Sequence, residues 1–127
     1  MSFSSLKDWL DSLKSRSADR VCVLVEGKRD FSKLTALGVR NICTLKGRRY
    51  YDVIEEILEN CNLCIILFDL DKHGERMTKK FSALLKKEGI KVDLSYREYL
   101  KTLGVIEVEN IFCIEKIYSH FLEMSIC

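Results

Sequence analysis

LCIILFDLDKHGE, residues 63–75, joins an unbroken apolar run to two aspartates and a glycine. A short run of this kind, rich in isoleucine and bounded by turn residues, predicts a strand buried on both faces. Asp69 and Asp71 stand one residue apart where that strand should end. Two like charges so close repel each other unless a cation lies between them, so the stretch points to a hard metal ion at the end of a central strand.

Outward from it, the same grammar repeats. VCVLVEG from Val21 predicts a strand ended by Gly27, and a helix over 30–37 follows, stopped by Gly38. NICTL from Asn41 predicts a second strand, and Val53, Ile54, Ile57 and Leu58 mark a second helix. Beyond Gly74, Met77, Phe81, Leu84 and Leu85 share one face of a basic helix that Gly89 closes, and IKVDL from Ile90 predicts a short fourth strand. Alternation of this kind implies parallel strands with helical crossovers. The fold class is therefore α/β: three layers, α/β/α, around a central, mainly parallel four-stranded sheet. The core should occupy about 21–94 of a single domain spanning 1–127, with an amphipathic N-terminal helix over 3–16 and a helical extension over 95–127. In that extension we expect a short helix, an extended piece over 105–108, and a final helix whose apolar face includes Ile111, Ile114, Ile117, Tyr118 and Phe121 and offers a surface for a homodimer or partner protein.

Composition limits the classes. The chain has 127 residues, 47% of them hydrophobic, enough for one compact core. Its net charge of +2 gives only a weak general pull on polyanions, so nucleic-acid affinity must come from local clusters. No apolar stretch approaches the roughly 18 residues of a membrane span. Six cysteines lie in apolar segments, as buried thiols do in a reducing compartment, and a cytoplasmic location is expected. Cys61 and Cys64 form one CNLC pair, but with no second pair beside them they read as core thiols and not as zinc ligands.

In a sheet of this type, ligands bind beyond the carboxyl ends of the strands, where strand order reverses. Glu26 ends the first strand, and Asp69 and Asp71 end the third. If those strands are neighbours, Glu26 lies about one strand spacing, roughly 4.8 Å, from the pair. The three acids are the candidate metal ligands. Magnesium suits them best, because it needs few carboxylates and completes its shell with water and phosphate oxygens; manganese fits the same donors. Gly74 should let the backbone turn into the next helix, whose first-turn amides could face a phosphate, and Glu75 completes the acidic stretch. The plainer reading of Asp69 and Asp71 is a solvated turn and helix cap. DLDKHG also begins like an EF-hand loop, but His73 and Lys80 occupy ligand positions there. A phospho-receiver domain shares the acidic strand ends and needs a late lysine with no evident place here.

These residues also carry a family resemblance. VEGKRD at 25–30, followed by FDLDKHGE at 68–75, resembles the paired signature of Toprim domains, the catalytic fold shared by topoisomerases, bacterial-type primases and some nucleases. The chain is similar in particular to the small stand-alone Toprim proteins of archaea and bacteria. The resemblance implies a Rossmann-like Toprim fold. It assigns Glu26 as the general acid or base and Asp69 and Asp71 as the magnesium-binding pair; Asp30 matches the trailing acid of the first motif, with a helix cap as its alternative role. The family's later acidic motif has no clear copy, since Asp93 stands alone. Topoisomerase or primase activity would need further domains that 127 residues cannot hold.

Basic residues flank the acids: Lys28, Arg29, Lys46, Arg48, Arg49 and Lys72 form an expected positive collar that would hold a sugar-phosphate backbone without reading bases. Tyr50 and Tyr51 could stack on an unpaired base or belong to the helix they begin. His73 is a further possible phosphate contact. The expected function is magnesium-dependent phosphodiester chemistry on RNA or DNA, of nuclease or nucleotidyl-transfer type. The alternatives are a non-catalytic or partner-dependent, metal-assisted nucleic-acid-binding module and a phospho-receiver.

Overall fold

A computed structural model describes residues 3–108. Four parallel strands, β1 (Val21–Val25), β2 (Ile42–Thr44), β3 (Leu63–Ile66) and β4 (Lys91–Asp93), form one sheet in the order β2-β1-β3-β4. Strand order reverses between β1 and β3, whose register sets Val21 beside Leu63 and Leu24 beside Ile66. Five helices complete the described residues: α1 (Leu6–Arg16), α2 (Lys28–Ala36), α3 (Tyr50–Asn60), α4 (Lys72–Lys87) and α5 (Ser95–Thr102).

Alternation along β1 and β3 divides the core in two, because successive side chains point to opposite faces. Cys22, Leu24, Cys64 and Ile66 meet α3 and α4 through Val53, Ile57, Phe81 and Leu85. Val23, Val25 and Ile65 meet α1, α2 and α5 through Trp9, Leu13, Leu34, Tyr96 and Leu100. The expected α/β/α layering is what forms. Helix α1 is pinned at both ends: the Ser5 side chain accepts from the Asp8 amide at its start, and Arg16 reaches Asp93 at 2.6 Å at its close. Between them the Trp9 indole N–H donates to the Tyr96 carbonyl at 2.9 Å.

Several boundaries differ from the sequence reading. Helix α2 starts two residues earlier than expected, because Gly27 serves as its N-cap and Asp30 acts from the third helical position, accepting from the Gly27 amide at 3.2 Å. Helix α4 begins at Lys72, ahead of Gly74, with Asp71 as its cap. The 105–108 piece joins no strand among the described residues; it lies over the loop after β3, where the Leu70 amide donates to the Ile106 carbonyl at 2.6 Å. Cys22, Cys43, Cys61 and Cys64 are free thiols, with Cys22, Cys61 and Cys64 buried in the core. The final apolar helix and its suggested dimer surface lie outside the described residues, as do Cys113 and Cys127. No helix among the described residues is long and apolar enough to cross a membrane.

Candidate functional site

Because β1 and β3 are adjacent, their carboxyl ends deliver Glu26 and Asp69 to the same point. The Asp69 amide donates to Glu26 Oε2 at 3.3 Å, so an acid of one strand end is clasped by the backbone of the other. Glu26 Oε1 is buried and accepts no hydrogen bond among the described residues; His73 Nε2 is 3.9 Å away. Burial pushes the Glu26 carboxyl up to about 8, helped by the Asp69 carboxylate at its side and by Asp71 farther off, while the Asp69 amide pulls in the opposite direction.

The two aspartates are held differently. Asp69 Oδ1 accepts from the Val108 amide at 2.8 Å. Asp71 Oδ1 accepts from the Gly74 amide at 2.7 Å, which makes Asp71 the N-cap of α4 as the plainer reading expected. With each turned partly onto backbone, no three His, Cys, Asp or Glu side chains among the described residues already stand as a metal cage. The donor set nonetheless fits a hard cation. Among the described residues Glu26 Oε1 is an orphaned acceptor and the second oxygen of each aspartate accepts from no backbone amide, and magnesium needs only one or two carboxylates.

Gly74 has a different purpose from the turn expected of it. It sits inside the first turn of α4, and a Cβ there would fall 1.7 Å from the Asp69 carbonyl oxygen. Only glycine lets α4 begin so close to the end of β3. Glu75, expected among the acids, is drawn away: its carboxylate takes Arg97 at 2.9 Å, which holds it below the usual carboxylate range.

Arg97 is the residue that the sequence reading missed. Fully buried on α5, it donates from Nε to the Phe68 carbonyl at 2.9 Å and from Nη2 to the Asp69 carbonyl at 2.7 Å. These carbonyls lie beyond the last rung of β3, and buried backbone acceptors need a partner. A signal was present: Arg97 and Leu100 are three apart, so the arginine falls on the apolar stripe of a short helix, where a charge requires a reason.

The six cations of the expected collar do not share one rim. Lys28, Arg29 and Lys46 line a cleft of about 390 Å³ together with Glu26, Asp30 and Asp69. Arg48 and Arg49 are not in it. They border a separate groove between α3 and α4 and pair with Glu56 and Asp52. Lys72 is exposed at the start of α4.

Residues 23–102 match the model of a family described as Toprim-like. The chain is 33% identical over 104 residues to a UPF0292 protein of Pyrococcus horikoshii, covering 82% of this chain and 76% of that one. It is 28% identical over 115 residues to a UPF0292 protein of Methanocaldococcus jannaschii, covering 87% and 89%. A solved structure of a protein from Aquifex aeolicus matches with a TM-score of 0.80 at 37% identity over 84% of this chain and 98% of that one. The zinc-binding and RNA polymerase domains of the Aquifex aeolicus primase match with a TM-score of 0.54 at 23% identity, over 75% of this chain and 25% of that one, a likeness of fold alone.

Proposed function

The chain belongs to the Toprim-like family, and from that premise we propose that it carries out metal-dependent phosphodiester chemistry on nucleic acid, of nuclease or nucleotidyl-transfer type, at the cleft lined by Glu26 and Asp69, with Asp71 at the start of α4 as the further ligand. The observation that carries this reading is the Glu26 carboxyl: adjacent to Asp69, with one buried oxygen that accepts no hydrogen bond among the described residues, and with its pKa pushed up to about 8.

Asp69 and Asp71 would hold magnesium, or manganese, with Glu26 beside them. When bound, the ion supplies positive charge against the phosphate oxygens and lowers the pKa of a coordinated water. The remaining work falls to this chain's own groups. Glu26, whose carboxyl burial and the neighbouring Asp69 raise above the usual carboxylate range in the metal-free protein, takes the proton from an attacking oxygen or gives one to a leaving oxygen. Lys28, Arg29 and Lys46 face the same cleft and hold the phosphates on either side of the scissile one. Arg97 orients the loop by fixing the Phe68 and Asp69 carbonyls.

Labelled RNA and DNA, incubated with the protein in magnesium or EDTA, test this. Cleavage that needs magnesium and drops at least about 100-fold in Glu26→Gln supports it. Turnover that ignores EDTA, or survives unchanged in the variant, overturns it. A second reading, binding without cleavage, draws on the engagement of Asp69 and Asp71 with backbone amides; it predicts magnesium-sensitive binding with no product at all.

A further inference from the structure

Resting on the nucleic-acid reading of the acidic cleft, we propose that the groove between α3 and α4 is a track for single-stranded nucleic acid, in which the Tyr51 ring stacks on one unpaired base. The groove, about 620 Å³, is bordered by Arg48, Arg49, Tyr50, Tyr51, Lys80 and Lys87 among others. It leads toward the acids through Tyr50, which lines both this groove and a pocket containing Glu26, Lys46 and His73.

The two tyrosines differ in what they can do. Tyr50 is committed: its hydroxyl approaches Met77 Sδ at 3.5 Å, the Phe81 ring meets it edge-on at 5.1 Å, and Lys80 Nζ lies 4.4 Å from its centroid. It forms a wall. Tyr51, its neighbour, is 88% exposed. Arg48 and Arg49 are ion-paired with Glu56 and Asp52, and Glu88 also borders the groove, so the charge open to a backbone comes from Lys80 and Lys87 on α4. A large aromatic ring left in water opposite those lysines has the composition of a base-stacking platform, in which the ring takes a base face and the lysines take the backbone. A duplex hides its base faces within the stack, so the ring favours a single strand. Readout of base identity is not expected, because every base offers a π-face.

Fluorescence anisotropy in EDTA, where cleavage cannot interfere, tests the track with a labelled oligothymidylate, an oligouridylate, an abasic strand and a duplex of equal length. Tyr51→Ala should weaken binding of both single strands about 5- to 150-fold, the range for one stacked base. Tyr51→Phe should stay within about twofold of wild type, since the stacking face persists. The abasic strand and the duplex should bind the alanine variant as they bind wild type. Lys87→Ala should weaken all backbones alike and flatten the salt dependence. Equal loss on duplex and single strand, loss on the abasic strand, no loss in Tyr51→Ala, or no single-strand binding by wild type would each overturn the proposal. The outcome is separable from catalysis: a stacking loss without any magnesium-dependent cleavage leaves the track standing and removes the nuclease, and cleavage untouched by Tyr51→Ala on single strands does the reverse.

Discussion

Arg97 donates from Nη2 to the Asp69 carbonyl at 2.7 Å, so the backbone of a candidate metal ligand is held by a guanidinium buried beneath it. The same side chain serves the Phe68 carbonyl and the Glu75 carboxylate. Arg97→Met should therefore leave the buried Phe68 carbonyl and the half-buried Asp69 carbonyl without this donor and cost on the order of 3 kcal/mol. Arg97→Lys, which has no planar fork, should recover only part of that. Urea midpoints of the three proteins check this, and a methionine variant as stable as wild type would remove Arg97 from the account.

Glu26 sets an unusual dependence of stability on pH. Its carboxyl binds a proton more tightly in the folded protein, where it is pushed up to about 8, than in the unfolded chain, where it has the ordinary value of 4.5. Between those values the folded state holds more protons, so the metal-free protein should lose stability as pH rises from about 4.5 to 8 and level off above. With partial solvent access at this rim, the change is about 2 kcal/mol. Glu26→Gln should flatten the profile and be the more stable protein at pH 8. Denaturation in EDTA across the range measures it. Magnesium affinity should run the opposite way, rising with pH over the same window, because binding displaces the proton.

Asp71 has two duties that one substitution separates. Asparagine caps helices about as well as aspartate, so Asp71→Asn should keep the hydrogen bond to the Gly74 amide and alter stability by no more than about 0.5 kcal/mol. It removes a negative charge from the proposed metal site. Calorimetric titration with magnesium should show at least about tenfold weaker binding. Unchanged affinity would leave Asp71 a cap and nothing more.

Gly74→Ala should be costly although glycine is ordinarily the poorer helix former. The added methyl would meet the Asp69 carbonyl oxygen at 1.7 Å, and backbone on both sides must shift. We expect a loss of about 3 kcal/mol, the upper end for overpacking, together with weaker magnesium binding because Asp69 moves. Ala substitution at Gly27, where no atom lies within 4 Å of the added carbon, is the control without steric conflict.

What could be read from the residues in order was periodic. The apolar runs at 21–25 and 63–68 and the helical spacing of Met77, Phe81, Leu84 and Leu85 disclosed the α/β alternation, because burial on both faces leaves a strand no choice of polar residues. Glu26, Asp69 and Asp71 were legible for the same reason: acids ending apolar strands have to be explained. Arg97 was not read, since a short helix with one charge among apolar positions resembles any amphipathic helix until its partners are known. Gly74 was read as a turn because a glycine after two aspartates usually is one; the close approach that requires it comes from the carbonyl of Asp69, five residues back.

The order of residues alone disclosed the alternation of strands and helices, the layers and the candidate acids, though not the starts of α2 and α4, since periodicity and the cost of burying charge are local. Only the tertiary structure decided which cations share the cleft with Glu26, that Arg48 and Arg49 border a different groove, and that Glu75 belongs to Arg97. Those facts depend on the side-by-side placement of β1 and β3 and on the direction from which α5 meets them. Contacts between residues 28 and more positions apart, such as Arg97 with Asp69, are fixed by packing, and packing has no signature in a neighbour-by-neighbour pattern.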